Sequence, residues 1–443
     1  MGTERMGKLL LRMSLPQIAA QLVNLFYNMV DRMYIGHIPQ SGPDALAGIG
    51  ITGSIIMLIS AFASFVSGGG APLAGIALGK GDREEAHKLL GTGTVFLIAV
   101  ALLTAIPVSL LLDPLLRLIG ASETTLPYAH DYLRVYLFGT LFVMLAGGLN
   151  AFISLQGRPG LAMVSVILGA GLNLVLDPLF IFTFSLGVKG AAVATVISQG
   201  VSACFVVGFL VSDRASLRIM PKFLKLDLRT LRRMLSLGIA PFIMGSTESL
   251  IGFVMNGSLS RYGDIYVSTL TIMQSAMQFV SVPLSGFGQG VSPVISYNYG
   301  HGDRARVKSA VRILFSIMCS LTFVFYLLMI LFPGVVASFF TDDAALIGSV
   351  ERIMPVFLLG MTIFGMQRAC QTVFVAMGQA RISLFIALLS KVILLIPLAL
   401  ILPHFMGYMG IYTAEAIADA TCATLCMILF VRRFPSMLAR CGK

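Results

Sequence analysis

The sequence predicts an all-helical integral membrane protein with twelve transmembrane helices in two parallel six-helix bundles around a central cleft. Three observations predict this fold: a composition too apolar for a water-soluble chain, twelve apolar stretches, and an internal repeat half as long as the chain. Of the 443 residues, 57% are hydrophobic and 12% are charged, and the mean hydropathy is +0.90. A soluble domain carries about 25% charged residues, so lipid must solvate most of the folded surface.

The twelve apolar segments are separated by polar links, and each is long enough for a transmembrane helix, which needs about 20 mostly apolar residues. They begin near residues 9, 45, 90, 126, 160, 188, 234, 265, 309, 350, 382 and 407. The first contains Asp31 and lacks a small-residue cleavage site, so we interpret it as a span rather than a signal peptide. The longest polar connection then predicts an N-terminal bundle at 1–211, a cytoplasmic linker at 212–233 and a C-terminal bundle at 234–443.

The basic residues alternate between the links. Of the 31 lysines and arginines, 23 fall on the links that are cytoplasmic if the amino terminus is cytoplasmic. This is the positive-inside pattern, and it predicts a multi-pass protein of the cell membrane with both termini in the cytoplasm. The net charge of +11 therefore reflects topology. No long basic run or RNA-binding motif is present, so we expect no nucleic-acid partner.

An internal repeat relates the two halves of the chain. The stretch from Pro72 to Arg83 recurs from Pro293 to Arg304, at an offset of 221 residues. Further glycine pairs share this offset or one of 220: Gly139 and Gly360, Gly157 and Gly378, Gly187 and Gly407, Gly190 and Gly410. Because each half holds six spans, the halves share one orientation and are related by an axis along the membrane normal, an arrangement that suits alternating access. The sequence contains no nucleotide-binding loop and no enzyme signature, so an ion gradient must drive transport.

Acidic residues inside apolar spans are informative because each costs about 2.5 to 3.5 kcal/mol at a helix centre and persists where it is paired or faces water. We single out three: Asp31, Asp177 and Glu248. Asp31 shares a helix face with Asn24, and Tyr27 lies beside that face, so a polar stripe runs down the first span. A helix-end pair between Asp31 and its neighbour Arg32 is the alternative.

Asn173 and Asp177 form an i, i+4 pair on the fifth span, directly before Pro178. Proline removes a backbone hydrogen bond, so the helix should kink there and leave a free carbonyl beside the carboxylate. Oxygen ligands at a kink suit a small hard cation or a transferable proton. The alternative is that both side chains only bond a neighbouring helix.

The second half offers fewer candidates. Glu248 could attract a cationic substrate or pair with Arg368 or Lys391, the cations of the tenth and eleventh spans. Lys391 could also extend its charge to the membrane surface. Gln274 and Gln278 form an amide pair on the eighth span that could contact substrate or join helices.

These motifs together resemble the multidrug and toxic compound extrusion (MATE) family, prokaryotic type, and the resemblance covers nearly the whole chain. It rests on Tyr27-Asn28-Met-Val-Asp31, on Asn173 and Asp177 before Pro178, and on the Gly187 to Thr195 entry to the sixth span. The resemblance implies a secondary active antiporter that exports amphipathic organic cations in exchange for H⁺ or Na⁺, without a cofactor and as a monomer. A flippase for lipid-linked precursors, from the same superfamily, is the alternative function.

The resemblance also implies roles for individual residues. It assigns ion coupling, and Na⁺ ligation if sodium is the ion, to Asp31, Asn173, Asp177 and Thr195. It assigns helix bending to Pro16 and places polar cavity residues at Tyr27 and Asn150. We add Asn24, Glu248, Gln274 and Gln278 as cavity residues and Pro178 as a second bending point, on the patterns described above.

Overall fold

The computed structural model describes residues 2–39 and 41–442, apart from the side chains of Glu248, Ser249 and Phe253. This part of the chain is built from helices and contains no strand. Twelve membrane-spanning segments follow one another, here called span 1 to span 12. They are Met6–Gly36, Gly42–Gly79, Arg83–Leu110, Leu126–Phe138 with Thr140–Leu155, Pro159–Thr183, Gly187–Val211, Leu228–Leu259, Asp264–His301, Arg304–Leu331, Ala344–Ala376, Ala380–Met406 and Tyr408–Ala439. The twelve-span fold predicted from the sequence is confirmed.

Short helices outside the spans repeat at the same offset as the sequence. Leu112–Ile119 precedes span 4 and Pro333–Ser338 precedes span 10. The polar connection between the halves holds a single 3₁₀ turn, Pro221–Phe223.

An aspartate caps the start of span 3 and of span 9, because Asp82 accepts from the Glu85 amide and Asp303 from the Arg306 amide. These side chains satisfy backbone donors that a helix start leaves unpaired.

The repeated glycines have similar φ angles in both halves. Gly187 and Gly407 have φ of 54° and 59° at the starts of spans 6 and 12. A positive φ is accessible to glycine at little cost. The structure thus shows that the two halves are repeats of one unit.

Spans 4 and 10 each break at a glycine, and the two glycines correspond in the internal repeat. Span 4 bends by 58° between Phe138 and Thr140, around Gly139. Span 10 changes to a 3₁₀ helix at Leu358–Ile363, around Gly360. Gly139 lies against span 6 and Gly360 against span 12, since a Cβ on Gly139 would approach Val196 to 2.7 Å and one on Gly360 would approach the Ala416 carbonyl to 2.7 Å.

The starts of spans 1 and 7 pack into the opposite half of the molecule. Met13, together with Met6, Leu9 and Leu10, belongs to the apolar core formed otherwise by residues of the second half. Met234, 221 residues after Met13, belongs in turn to the core of the first half. The first turns of one helix from each bundle therefore pack in the core of the other bundle.

Contacts between the bundles close the molecule on the side of the linker. The two copies of the repeated motif meet there: a Cβ on Gly79 would lie 2.1 Å from the Tyr297 carbonyl, and one on Gly300 would lie 2.1 Å from the Ile76 carbonyl. Only glycine allows two helix backbones to approach so closely. An ion pair between Arg233 of span 7 and Glu85 of span 3 joins the same ends.

Candidate functional site

A cavity of about 590 Å³ lies between the two bundles. On span 8 its wall runs from Leu284 to Ser296, and the glycine contacts of Gly79 and Gly300 lie beyond it toward the linker. The wall is polar but mostly uncharged, with small residues that keep the space open. Its polar side chains include Gln17, Gln21, Asn24, Tyr27, Asn150, Asn173, Ser198, Gln289 and Gln371. Arg368 is the one charged side chain among the described residues that line it.

Three helices of the first bundle bring together Asp31, Asn173, Asp177 and Thr195, here called the first-bundle cluster. Asn173 Nδ2 donates to Asp177 Oδ1 at 3.1 Å and lies 3.4 Å from Thr195 Oγ1. The Asp31 and Asp177 carboxyl groups are close enough to interact directly. Spans 5 and 6 approach closely at Gly190, where a Cβ would lie 2.6 Å from the Phe180 carbonyl. That approach lets an i, i+4 pair on one helix reach a threonine on the next.

The first-bundle cluster is buried and rich in unsatisfied acceptors. Asp177 and Asn173 are each 1% exposed, and Asp31 is 8% exposed. Asp31 Oδ1, Asn173 Oδ1 and Asp177 Oδ2 lack a hydrogen-bond partner in the described structure. Buried polar atoms are usually paired, so three orphaned oxygens in one cluster need an explanation. A bound proton or a small hard cation would satisfy them, because each atom is an oxygen acceptor.

Tyrosines surround the cluster on the side of span 4. Tyr132 and Tyr136 are 4% and 5% exposed, and their rings stack at 6.1 Å. The hydroxyls of Tyr27 and Tyr132 both interact with Thr195. Sequence reasoning identified Tyr27 and missed the other two, although Tyr132 and Tyr136 are spaced i, i+4 in an apolar span.

The structure separates the predicted site residues into two layers. Asn24, Tyr27, Asn150 and Asn173 line the cavity. Behind this wall lie the other members of the first-bundle cluster: Asp31, Asp177 and Thr195. Tyr27 and Asn173 contact both layers, so they connect the cavity to the buried acids.

Two of the predicted cavity residues do not line this cavity. Span 8 reaches it only from Leu284 onward, and Gln274 and Gln278 lie earlier on that span, with Gln278 exposed. The Glu248 side chain lies outside the described residues, so its predicted role stays a prediction.

The predicted bending points both lie in helices. Pro16 is inside span 1, one turn before Ala20 of the cavity wall. At Pro178 the α-helix of span 5 gives way to a π-helix over Leu179–Thr183. The change of helix type follows from the backbone hydrogen bond that proline cannot make.

Sequence reasoning missed two acids in the second bundle, Glu415 and Asp419 on span 12. They are 8% and 5% exposed. Lys391 Nζ lies 3.8 Å from Glu415 Oε1, so Lys391 is paired within the bundle and does not extend to the surface. The rule that identified Asp31 and Asp177, an acid inside an apolar span, also applies to Glu415 and Asp419.

Two repeated bundles around a polar cavity, with buried acids behind its wall, define a polytopic membrane transporter. The MatE family model matches residues 16–179 and 241–401. Over 423 residues the chain is 25% identical to the multidrug export protein MepA of Staphylococcus haemolyticus (strain JCSC1435), covering 95% of this chain and 92% of that protein. It is 26% identical over 428 residues to MepA of Staphylococcus aureus (strain MRSA252), covering 95% and 93%.

A comparison with solved structures gives the same fold. A crystal structure of MATE in the bent conformation superposes with a TM-score of 0.89 at 23% identity, covering 99% of this chain and 97% of that one. The chain therefore belongs to the MATE family of membrane transporters. The family resemblance inferred from the sequence is confirmed, and the protein is a transporter rather than an enzyme.

Proposed function

We propose that this protein is a secondary active antiporter that exports amphipathic organic cations in exchange for H⁺ or Na⁺. One observation carries the proposal: a cluster of buried, unsatisfied acidic and amide oxygens lies directly behind the wall of a cavity between two bundles. The relatives named multidrug export proteins support export of small organic compounds. We expect the protein to work as a monomer in the cytoplasmic membrane, with both termini inside.

The first-bundle cluster supports ion coupling through its chemistry. Two carboxylates in a poorly solvated site cannot both stay ionised cheaply, so they favour capture of a positive charge. Asn173 and Thr195 add neutral oxygens, which a proton does not need and a sodium ion does. We therefore favour a site that can hold Na⁺ as well as a proton.

Coupling follows if ion and guest compete for the same negative charge. An empty first-bundle cluster attracts a cationic guest through the wall formed by Tyr27 and Asn173. Binding of an ion neutralises Asp31 and Asp177 and removes that attraction. This change in charge can shift the equilibrium between two arrangements of the bundles. A ligand shifts such an equilibrium only if it binds one arrangement more tightly than the other.

The cavity wall supports an amphipathic guest. Amide and hydroxyl groups alternate with alanine, glycine and proline, so the wall offers apolar contact with a few orienting polar groups, as small-molecule pockets do. The positive end of a guest should lie toward span 1 and span 5, because Arg368 occupies the wall of the second bundle. A flippase for anionic lipid-linked precursors would be expected to line its cavity with several cations, and Arg368 alone gives that alternative little support.

Ion-dependent efflux from proteoliposomes tests the proposal. The protein is reconstituted with a fluorescent monovalent cation inside, and efflux is followed under a sodium gradient at fixed pH and then under a pH gradient without sodium. We expect efflux to respond to at least one gradient. A matched sample carrying Asp31→Asn and Asp177→Asn controls for leakage. Efflux that ignores both gradients, or that favours anionic dyes over cationic ones, contradicts the proposal.

A further inference from the structure

The second bundle contains a buried charged group that the proposed mechanism does not use. Lys391 on span 11 lies 3.8 Å from Glu415 on span 12, and Asp419 lies one turn further along span 12. We call these three residues the second-bundle cluster. None of them is among the described residues that line the cavity. They lie behind the cavity wall, and the Lys391 ammonium offsets the charge of Glu415 within the bundle.

The repeat relates the helices that carry the second-bundle cluster, spans 11 and 12, to spans 5 and 6 of the first bundle. Gly187 and Gly407 both have a positive φ at the starts of spans 6 and 12. Three residues later, a Cβ on Gly190 would lie 2.6 Å from the Phe180 carbonyl carbon, and one on Gly410 would lie 2.5 Å from the Leu402 carbonyl carbon. Spans 6 and 12 therefore pack on spans 5 and 11 in the same way.

The same offset of 220 residues, counted onward from these glycines, pairs Thr195 with Glu415. Thr195 is the span 6 member of the first-bundle cluster. Its counterpart on span 12 is thus a carboxylate, and Lys391 reaches that carboxylate from span 11, the counterpart of span 5. Polar side chains of the same two helices thus meet in both halves, but in the second half the span 11 member is an ammonium group.

The two clusters differ in one chemical respect. None of the ion pairs among the described residues involves Asp31 or Asp177. Arg32, the neighbour of Asp31, is exposed. The second-bundle cluster holds its own ammonium group. A buried carboxylate is costly without a counter-charge, and a lysine whose stem is fixed to the protein supplies one permanently.

We propose that the Lys391 ammonium is a built-in cation, which occupies in the second bundle the place that the coupling ion takes in the first. This inference rests on the proposed antiport for the role of the first-bundle cluster. It follows that only the first bundle exchanges an ion with the membrane gradients. It also follows that removal of the ammonium exposes a site for a small monovalent cation, with Glu415 and Asp419 as its acidic ligands.

Glu415 carries a further indication of a cation ligand. Its second carboxylate oxygen, Oε2, is buried and has no hydrogen-bond partner in the described structure. Arg368, the other described cation near Asp419, acts on that carboxylate from the cavity wall, while Lys391 is the cation that lies beside Glu415. Loss of Lys391 would therefore leave Glu415 with unsatisfied oxygens that an alkali cation can bind.

Thermal unfolding of purified protein tests this inference. The measurement uses the Asp31→Asn, Asp177→Asn background, so that the first-bundle cluster contributes no ion response. In that background Lys391→Met should unfold at a lower temperature, and its midpoint should rise with NaCl but not with choline chloride at equal ionic strength. Lys391→Arg, which keeps the charge, should show no sodium-selective rise. Adding Glu415→Gln to Lys391→Met should abolish the sodium response.

If the Lys391→Met protein does not fold, a second measurement is used. Lys391→Ala is then purified with ethylammonium chloride, which replaces the missing ammonium, or with ethanol as a neutral control. Rescue by ethylammonium alone supports a built-in cation. Folded Lys391→Met without a sodium-selective shift, or failure of ethylammonium to rescue, overturns the inference. A sodium response in Lys391→Met combined with efflux that ignores both gradients would contradict the antiport and leave the buried cation site standing.

Discussion

Gly79 offers a direct test of how the molecule closes on the linker side. A Cβ at this position would lie 2.1 Å from the Tyr297 carbonyl oxygen and 2.7 Å from the His301 amide nitrogen. Both are backbone atoms, so no side-chain rotation can relieve the overlap. In Gly79→Ala, span 2 and span 8 must therefore separate by about 1.3 Å, from 2.1 Å to the 3.4 Å at which ordinary contact begins.

The size of the effect follows from the cost of overpacking, which is typically about 1 to 3 kcal/mol. The clash exists only while the linker side is closed, so this cost falls on one arrangement of the bundles. Differential energies of that size shift a two-state equilibrium by roughly 5- to 150-fold. We expect Gly79→Ala to populate arrangements in which the linker side is open and to slow gradient-driven efflux.

Spin-label distances measure this shift. Labels replace the exposed residues Lys80 and Lys308, which lie on opposite halves near the closed ends. Gly79→Ala should move the distance distribution to longer values. Gly7→Ala is the matched control, because it lies in a helix and its added Cβ meets nothing within 4 Å. An unchanged distribution in Gly79→Ala, or an equal change in Gly7→Ala, would refute the reasoning.

Further predictions concern coupling, topology and capping. Asp31→Asn and Asp177→Asn should each abolish gradient-driven efflux while leaving the protein folded, whereas Asn256→Ala on span 7 should be milder; normal efflux by both aspartate variants would contradict the site. A cysteine placed at Lys222 should react with an impermeant thiol reagent from the cytoplasmic side only, and labelling from outside alone would overturn the orientation. Asp82→Ala removes the cap on span 3, a 2.9 Å bond to the Glu85 amide, and should lower the free energy of unfolding by about 0.5 to 2 kcal/mol, measured by thermal or denaturant unfolding.

The residues proposed to couple transport to an ion show how much a sequence pattern can predict. Asn173 and Asp177 share a helix face whatever surrounds the helix, because their spacing alone fixes that relation. The contact of Asn173 with Thr195 required the further knowledge that spans 5 and 6 pack closely at Gly190. The family resemblance supplied that pairing, and helix periodicity did not.

The second bundle shows where residue patterns alone were incomplete. Glu415 and Asp419 stand in the last apolar span, and the criterion of a buried charge applies to them as it does to Asp31. Their pairing with Lys391 depends on the rotation of two helices about their axes. Gln274 and Gln278 show the opposite kind of error: the sequence predicted them as cavity residues, and the structure places them outside the cavity wall.

The sequence by itself determined the twelve spans and the repeat, because lipid requires runs of about 20 apolar residues and a duplicated unit keeps its glycines at a fixed offset. The tertiary structure alone decided which polar residues face the cavity and which lie behind its wall. It also decided that Met13 and Met234 exchange places between the two halves. Those relations depend on how each helix is rotated and packed against its neighbours, and lipid-facing and cavity-facing positions have no separate signature in a single chain.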